Sequence, residues 1–264
     1  MIKSLENVKN IIFISSGKGG VGKSMVAANL AVALARNGHS TGLLDADIYG
    51  PSVPITMGVE GKKPLVVRYG EKENYSPVIN YGIKIMSLGF LMKKEDAVIW
   101  RGPMASNALT QMLENTVWGE LEFLVIDMPP GTGDICITLA QKIPQAKALI
   151  VITPQQMAIA DGRKAANMYR ANGIDIEIIG VIENMSWFTP EKHPDEKYII
   201  FGEGGGNQLA QEINAPLLAQ IPLVSDVCSL ADTGKTIFMS SNSVIVKAFE
   251  ELANTICKVT TILI

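Results

Sequence analysis

Gly17-Lys18-Gly19-Gly20-Val21-Gly22-Lys23-Ser24 is the stretch whose reading decides the fold. It fits the template G-x-x-x-x-G-K-[ST], with a short apolar run, Ile11–Ser15, before it and an Ala- and Leu-rich segment after it. A glycine-rich turn between a strand and a helix lets successive backbone N–H groups point inward at phosphate oxygens. The helix opening at Ser24 adds the positive end of its dipole. Gly17, Lys18, Gly19, Gly20, Val21 and Gly22 form the backbone cradle, Lys23 brings a point charge to the β- and γ-phosphates, and the Ser24 hydroxyl is a ligand for Mg²⁺. The template leaves the position of Lys18 unspecified.

Working outward, other short apolar runs stand at Gly42–Leu44, Phe123–Ile126, Ala148–Thr153 and Ile176–Ile182. Unalternating runs rich in Ile and Val fit strands buried on both faces. Helical stretches lie between them: Ser24–Arg36 and Ala158–Ala171, each followed by an Asn-Gly stop, Arg101–Trp118 with Pro103 in its first turn, and Ser243–Lys258. Strands alternating with helices predict an α/β fold, a doubly wound, mainly parallel sheet with helices on both faces. Residues 1–264 read as a single domain with two surface excursions, near 59–82 (a candidate hairpin) and 187–206, where a short Tyr198–Phe201 strand is expected among prolines and glycines.

Two acidic strand ends complete the expected nucleotide site. Leu43-Leu44-Asp45-Ala46-Asp47 ends the second strand with two carboxylates, and Leu124-Val125-Ile126-Asp127 ends a later one. Ligands of doubly wound sheets gather beyond the carboxyl ends of strands. There Asp127 is placed to hold Mg²⁺, and Asp45 or Asp47 to orient an attacking water. An isolated Asp after a strand more often caps a helix or a turn, but here a phosphate loop lies upstream.

The 264 residues are 47% hydrophobic and 19% charged, and 23 Lys plus Arg stand against 26 Asp plus Glu, a net charge of -3. This excludes a disordered or coiled-coil chain and disfavours non-specific nucleic-acid binding, which favours basic surfaces. The Cys136, Cys228 and Cys257 thiols are too few and scattered for a disulfide framework. No run approaches the ~18 apolar residues of a membrane span, and the start of the chain lacks the apolar stretch of a secretory signal. The expectation is a cytoplasmic protein that binds neither membrane nor nucleic acid.

With these residues in hand, the chain resembles the deviant Walker A ATPases and, more closely, their Mrp/ApbC branch of iron–sulfur cluster carriers. The likeness spans Val8 to Glu251 and rests on KGGVGKS at Lys18–Ser24, DADIYGPSVP at Asp45–Pro54 and DMPPGTGD at Asp127–Asp134. GVIENMSWF at Gly180–Phe188, IFGEGGG at Ile200–Gly206 and IPL at Ile221–Leu223 follow in the family's order. The resemblance implies ATP and Mg²⁺ as cofactors, a homodimer sandwiching two nucleotides, and apoprotein clients or assembly factors as partners. It implies that Lys18 reaches the partner subunit's nucleotide, that Asp47 positions the hydrolytic water, that Asp45 supports the switch I stretch Asp45–Pro54, and that Ser24, Asp47 and Asp127 serve the metal. Gly131 and Gly133 would sense the γ-phosphate, and Asn184 would read the adenine edge.

One departure stands out. Cluster-carrying members have a Cys-x-x-Cys shortly after the stretch that here ends at Phe188, whereas this chain reads Thr189-Pro190-Glu191-Lys192-His193-Pro194. Iron–sulfur clusters ordinarily need thiolates. His193 in a Pro-rich loop reads as a solvated residue. Cys136 reads as a small buried apolar residue, Cys228 as the best surviving ligand candidate, in a loop, and Cys257 as packed in the last helix. The expected function is an Mg-ATP-hydrolysing dimer acting in iron–sulfur cluster assembly or transfer. The alternative is a MinD- or ParA-like positioning ATPase, for which the apolar Ile262-Leu263-Ile264 end would be an anchor. Trp100-Arg101-Gly102-Pro103 reads as a helix start, Met104 and Met112 as core, and Lys62-Lys63 and Lys93-Lys94 as solvated charge.

Overall fold

A computed structural model describes residues 2–69, 72–91, 102–190, 193 and 196–261. The apolar runs form the parallel strands β1 (Val8–Ser15) and β2 (Thr41–Asp45), with α1 (Lys23–Arg36) between them. A short α2 (Val53–Thr56) leads to the hairpin β3 (Leu65–Tyr69) and β4 (Lys72–Ser76), then β5 (Val78–Asn80) and β6 (Ile83–Ser87). The rest of the chain alternates: α3 (Gly102–Asn115), β7 (Leu121–Asp127), α4 (Asp134–Lys142), β8 (Lys147–Ile152), α5 (Gln156–Tyr169), β9 (Glu177–Phe188), α6 (Gly205–Glu212) and β10 (Leu217–Leu223). It finishes with α7 (Asp226–Asp232) and α8 (Ser243–Thr261).

The main sheet has eight strands in the order β10-β9-β8-β1-β7-β2-β6-β5, all parallel except β5, which runs against β6. From β1 the chain crosses over to β2, skipping the place that β7 later fills. This is the arrangement in which a doubly wound sheet opens a crevice at its carboxyl ends. Ile11–Ile14 and Leu124–Ile126 are almost wholly shielded from solvent, as central parallel strands covered on both faces must be. α1 is unusually apolar all round, and Val26–Leu34 is buried between the sheet and α8. α8 is amphipathic and buries Ile245, Phe249, Leu252 and Ile256, each such side chain stabilising the fold by about 1.5–3 kcal/mol. No helix among the described residues is long and apolar enough to cross a membrane.

The structure corrects several expectations. The excursion near 59–82 holds the expected hairpin, but its last part, β5, joins the main sheet beside β6. Tyr198–Phe201 is no strand: β9 runs on through Phe188, and a single antiparallel bridge joins Phe188 to Tyr198. Cys228 stands on α7, not in a loop, and is exposed. Met112 is core, whereas Met104 is 58% exposed, because eight residues overshoot two helical turns by about 80°. Residues 92–101 and 262–264, which hold Lys93, Lys94, Trp100, Arg101 and the apolar end, lie outside the described residues.

Candidate functional site

The carboxyl ends of β1, β7 and β2 lie side by side, and their register brings the acidic residues together. Asp127 pairs across with Ile14 on one side and with Asp45 on the other. The loop from Ser16 to Gly22 rises from β1 directly above them, and Gly22, with φ of 81°, opens α1. Gly22 is required twice over: a Cβ there would sit 2.2 Å from the Asn184 amide nitrogen, and its φ is one that side chains disfavour. Gly17 is required by proximity alone, since a Cβ would lie 1.8 Å from the Asp161 carbonyl oxygen on α5.

The loop is braced from beneath and beside. The Ser16 hydroxyl donates to the Lys18 carbonyl at 2.8 Å, and Ser15 Oγ and the buried Tyr169 hydroxyl share a hydrogen bond of 2.5 Å. Asn184 Nδ2 donates to the Val21 carbonyl at 2.9 Å, while Asn184 Oδ1 is buried without a partner. Gly131 N donates to the Ser16 carbonyl at 2.9 Å, tying the Asp127–Asp134 segment to the loop. Gly133 caps the start of α4 in an extended conformation. Behind this segment the buried Cys136 thiol faces the carbonyls of Pro129 and Gly131, and burial pushes its pKa up to about 11.

Lys23 Nζ lies 2.5 Å from Asp127 Oδ1 and 3.4 Å from Ser24 Oγ, in a pair of side chains 6% and 0% exposed. The second carboxylate oxygen, Asp127 Oδ2, is buried and has no hydrogen-bond partner. Such an orphan is costly unless something else binds it. Burial raises the Asp127 pKa, the Lys23 ammonium opposes that shift, and the nearby Asp47 charge adds to it.

Asp45 has a different place from Asp47. Asp45 Oδ1 accepts from Asp47 N at 3.1 Å, and Oδ2 accepts from Val53 N at 3.2 Å and from the Ser87 hydroxyl at 3.0 Å. It therefore pins the Asp47–Val53 loop to β2 and β6. Burial, and then the Asp127 charge, push its carboxyl up to about 8. Asp47 is only partly buried and faces the site from this loop. Outside the loop lies a largely apolar cleft of about 650 Å³ lined by Tyr49, Pro51, Pro54, Ile55 and Phe90 together with Glu60, Lys62 and Lys63.

The structure thus brings Lys23, Ser24, Asp47, Asp127 and Asn184 around one loop, with Lys18, Gly19 and Gly20 on its solvent side. Among the described residues no three His, Cys, Asp or Glu side chains converge on a metal-sized site. His193 is exposed beside Glu196, at 3.4 Å. Sequence reasoning missed Ser87, Tyr169 and Glu183. Glu183 is buried on β9, where its carboxylate takes Gly206 N at 2.5 Å and Gln220 Nε2 at 2.7 Å and so fixes the start of α6. Its signal was legible: a lone charge inside an apolar strand.

Known proteins share this arrangement. Residues 7–257 match the family described as ParA, the NUBPL iron-transfer P-loop NTPases. An iron–sulfur cluster carrier protein of Synechocystis is 46% identical over 255 residues, covering 96% of this chain and 72% of its own. The iron–sulfur cluster transfer protein NUBPL of Dictyostelium discoideum is 40% identical over 257 residues, 97% of this chain and 78% of its own. Among solved structures, a nucleotide-binding protein from Archaeoglobus fulgidus, in complex with ADP and with cobalt, is 35% identical at a TM-score of 0.78 over 94% of both chains. The cell-division ATPase MinD of Pyrococcus furiosus, 21% identical at a TM-score of 0.66 over 95% of this chain and 99% of its own, shares the fold alone. Loop, sheet order and sequence agree, and the chain belongs to the ParA family of NUBPL-type iron-transfer P-loop NTPases.

Proposed function

We propose that this chain binds and hydrolyses Mg-ATP as a homodimer and uses that cycle in assembling iron–sulfur clusters or delivering them to apoproteins. The observation that carries the nucleotide half is the buried Lys23–Asp127 pair with Asp127 Oδ2 left unpartnered beneath a phosphate-type loop. The amides of Gly17 to Ser24 bind the phosphates, and Lys23 exchanges its carboxylate partner for phosphate oxygens. Ser24 Oγ and Asp127, all-oxygen donors with one orphaned carboxylate oxygen, fit a hard cation, and Asp47 borders the same place. Bound there, Mg²⁺ neutralises charge on the β- and γ-phosphates. Asp47 positions the hydrolytic water, Lys18 serves the partner subunit's nucleotide, and Asn184 turns its unpartnered Oδ1 toward an adenine amino group.

The cluster is cargo, and this chain has no Cys-x-x-Cys to hold it. The thiolates are therefore supplied by donor and acceptor proteins, and this chain contributes the nucleotide-driven step. Relatives named for cluster carriage and transfer support the cargo half of the reading. The test is anaerobic: iron and sulfide analysis of the purified chain, then cluster transfer from a loaded scaffold to an apoprotein with and without Mg-ATP. The expected result is faster transfer with Mg-ATP and no stoichiometric iron on the chain. Calorimetric binding of Mg-ADP without any acceleration overturns the cargo half alone; absence of binding overturns both.

A further inference from the structure

At the amino-terminal edge of the sheet, opposite the phosphate loop, three side chains from distant parts of the sequence converge. Cys257 near the end of α8 places its sulfur 3.2 Å from His39 Nε2, and His39 Nδ1 lies 3.2 Å from Glu122 Oε2. His39 is in the turn before β2, and Glu122 is the second residue of β7. The imidazole is further fixed edge-on against Phe123, with ring centroids 5.2 Å apart. Glu122 is itself held by Ser40, whose hydroxyl accepts from Glu122 N at 2.9 Å, and Lys9 lies 3.8 Å from its other oxygen.

The hydrogen bond from His39 holds the Glu122 carboxyl below its ordinary range. An ionised Glu122 accepts a hydrogen bond from His39 Nδ1–H, the tautomer whose Nε2 lone pair faces the Cys257 thiol. Burial, with the Glu122 charge, raises the thiol pKa, so the resting thiol keeps its proton. A nucleophile, a base within hydrogen-bond reach and a third group orienting the base are the arrangement of an assisted nucleophile.

We propose that Cys257, His39 and Glu122 form a base-assisted thiol site that undergoes exchange with small disulfides. As the Cys257 sulfur attacks one sulfur of the disulfide, its proton passes to His39 Nε2. The disulfide bond breaks, a new bond joins Cys257 to one half, and the departing thiolate recovers the proton from His39. Thiol and disulfide go in, and thiol and disulfide come out, so no further oxidant is needed. The partner is small because the thiol is only partly exposed and His39 is 30% exposed. A neighbouring cleft of about 370 Å³, lined by Ser40 and Glu122 but by neither Cys257 nor His39, sets Glu6, Glu120 and Glu122 against Lys9. That balance of charge favours a cationic disulfide.

The probe is cystamine, applied to the full chain near neutral pH, with each thiol followed by peptide mass spectrometry. Exposed Cys228, whose sulfur lies 3.7 Å from the Asp232 carboxylate and beside no imidazole, is the reference, while fully buried Cys136 reports unfolding. Cys257 is expected to be labelled, and His39→Gln to slow that labelling by about 100-fold while Cys228 is unchanged. Glu122→Gln is expected to slow Cys257 by a smaller factor. An unlabelled Cys257 in the wild-type chain, or an equal rate in His39→Gln, overturns the proposal. Should His39→Gln unfold, seen as labelling of Cys136, Glu122→Gln decides: a slower Cys257 with Cys136 protected supports the site, and an unchanged rate overturns it.

Discussion

At the scale of single residues, the loop distinguishes glycines that are needed for the fold from those that are not. Gly22 combines a φ of 81° with an Asn184 nitrogen 2.2 Å from the place of a side chain, whereas a Cβ at Gly19 meets nothing within 4 Å. Gly22→Ala is expected to destabilise the ligand-free chain by about 1–3 kcal/mol, and Gly19→Ala by less than about 0.5 kcal/mol. Denaturant midpoints measured without nucleotide separate the two, and equal losses would refute the steric account. The same contact gives Asn184 a structural task, bracing Val21, before any base is bound. The motif foretold that position 22 is glycine; it held no hint that a side chain from β9 presses against it.

At the scale of elements, Asp45 joins β2, the Asp47–Val53 loop and β6 through three donors. Its carboxyl is pushed up to about 8 from 3.8, so the folded chain holds the proton more tightly than the unfolded one. Stability from this group is complete below pH 3.8 and is lost as pH rises through about 8. Unfolding midpoints taken at pH 5, 7 and 8.5 should fall in that order. Asp45→Asn should flatten the slope in part, because Asp127 is shifted in the same direction, and should cost about 1–3 kcal/mol for donors left unpaired. A slope unchanged in the variant would assign the proton elsewhere. The sequence made the strand ends and their acids legible because central parallel strands read as apolar runs. It concealed the roles of Asp45 and Asp47, which depend on a register pairing Asp45 with Asp127. It also hid the edge strands β5 and β10, whose burial is uneven, β6, where Lys84 interrupts the apolar run, and the meeting of Cys257 with His39, which are 218 residues apart.

At the scale of the whole molecule, the question is why a loop already holding one buried lysine should carry a second. Lys23 is 6% exposed and committed to Asp127, whereas Lys18 is only partly buried, its carbonyl fixed by Ser16 and its ammonium in no ion pair among the described contacts. A lysine on the solvent side of the phosphate cradle is placed to meet charge arriving from outside the subunit. In the proposed homodimer that charge would be the partner's phosphate, and a cation supplied in trans accelerates phosphoryl transfer by ~10³–10⁵. Lys18→Ala is accordingly expected to keep Mg-ADP affinity within a few-fold and to lower ATP turnover by at least ~10³. Lys23→Ala should instead lose binding itself, since it removes a phosphate ligand and leaves Asp127 buried without its partner. Calorimetry and phosphate release on both variants separate the two lysines. Mixing Lys18→Ala with an excess of a wild-type chain should restore turnover in part, because the wild-type lysine then serves the variant's nucleotide. Full turnover by Lys18→Ala alone would make the subunit self-sufficient and remove the reason for a dimer.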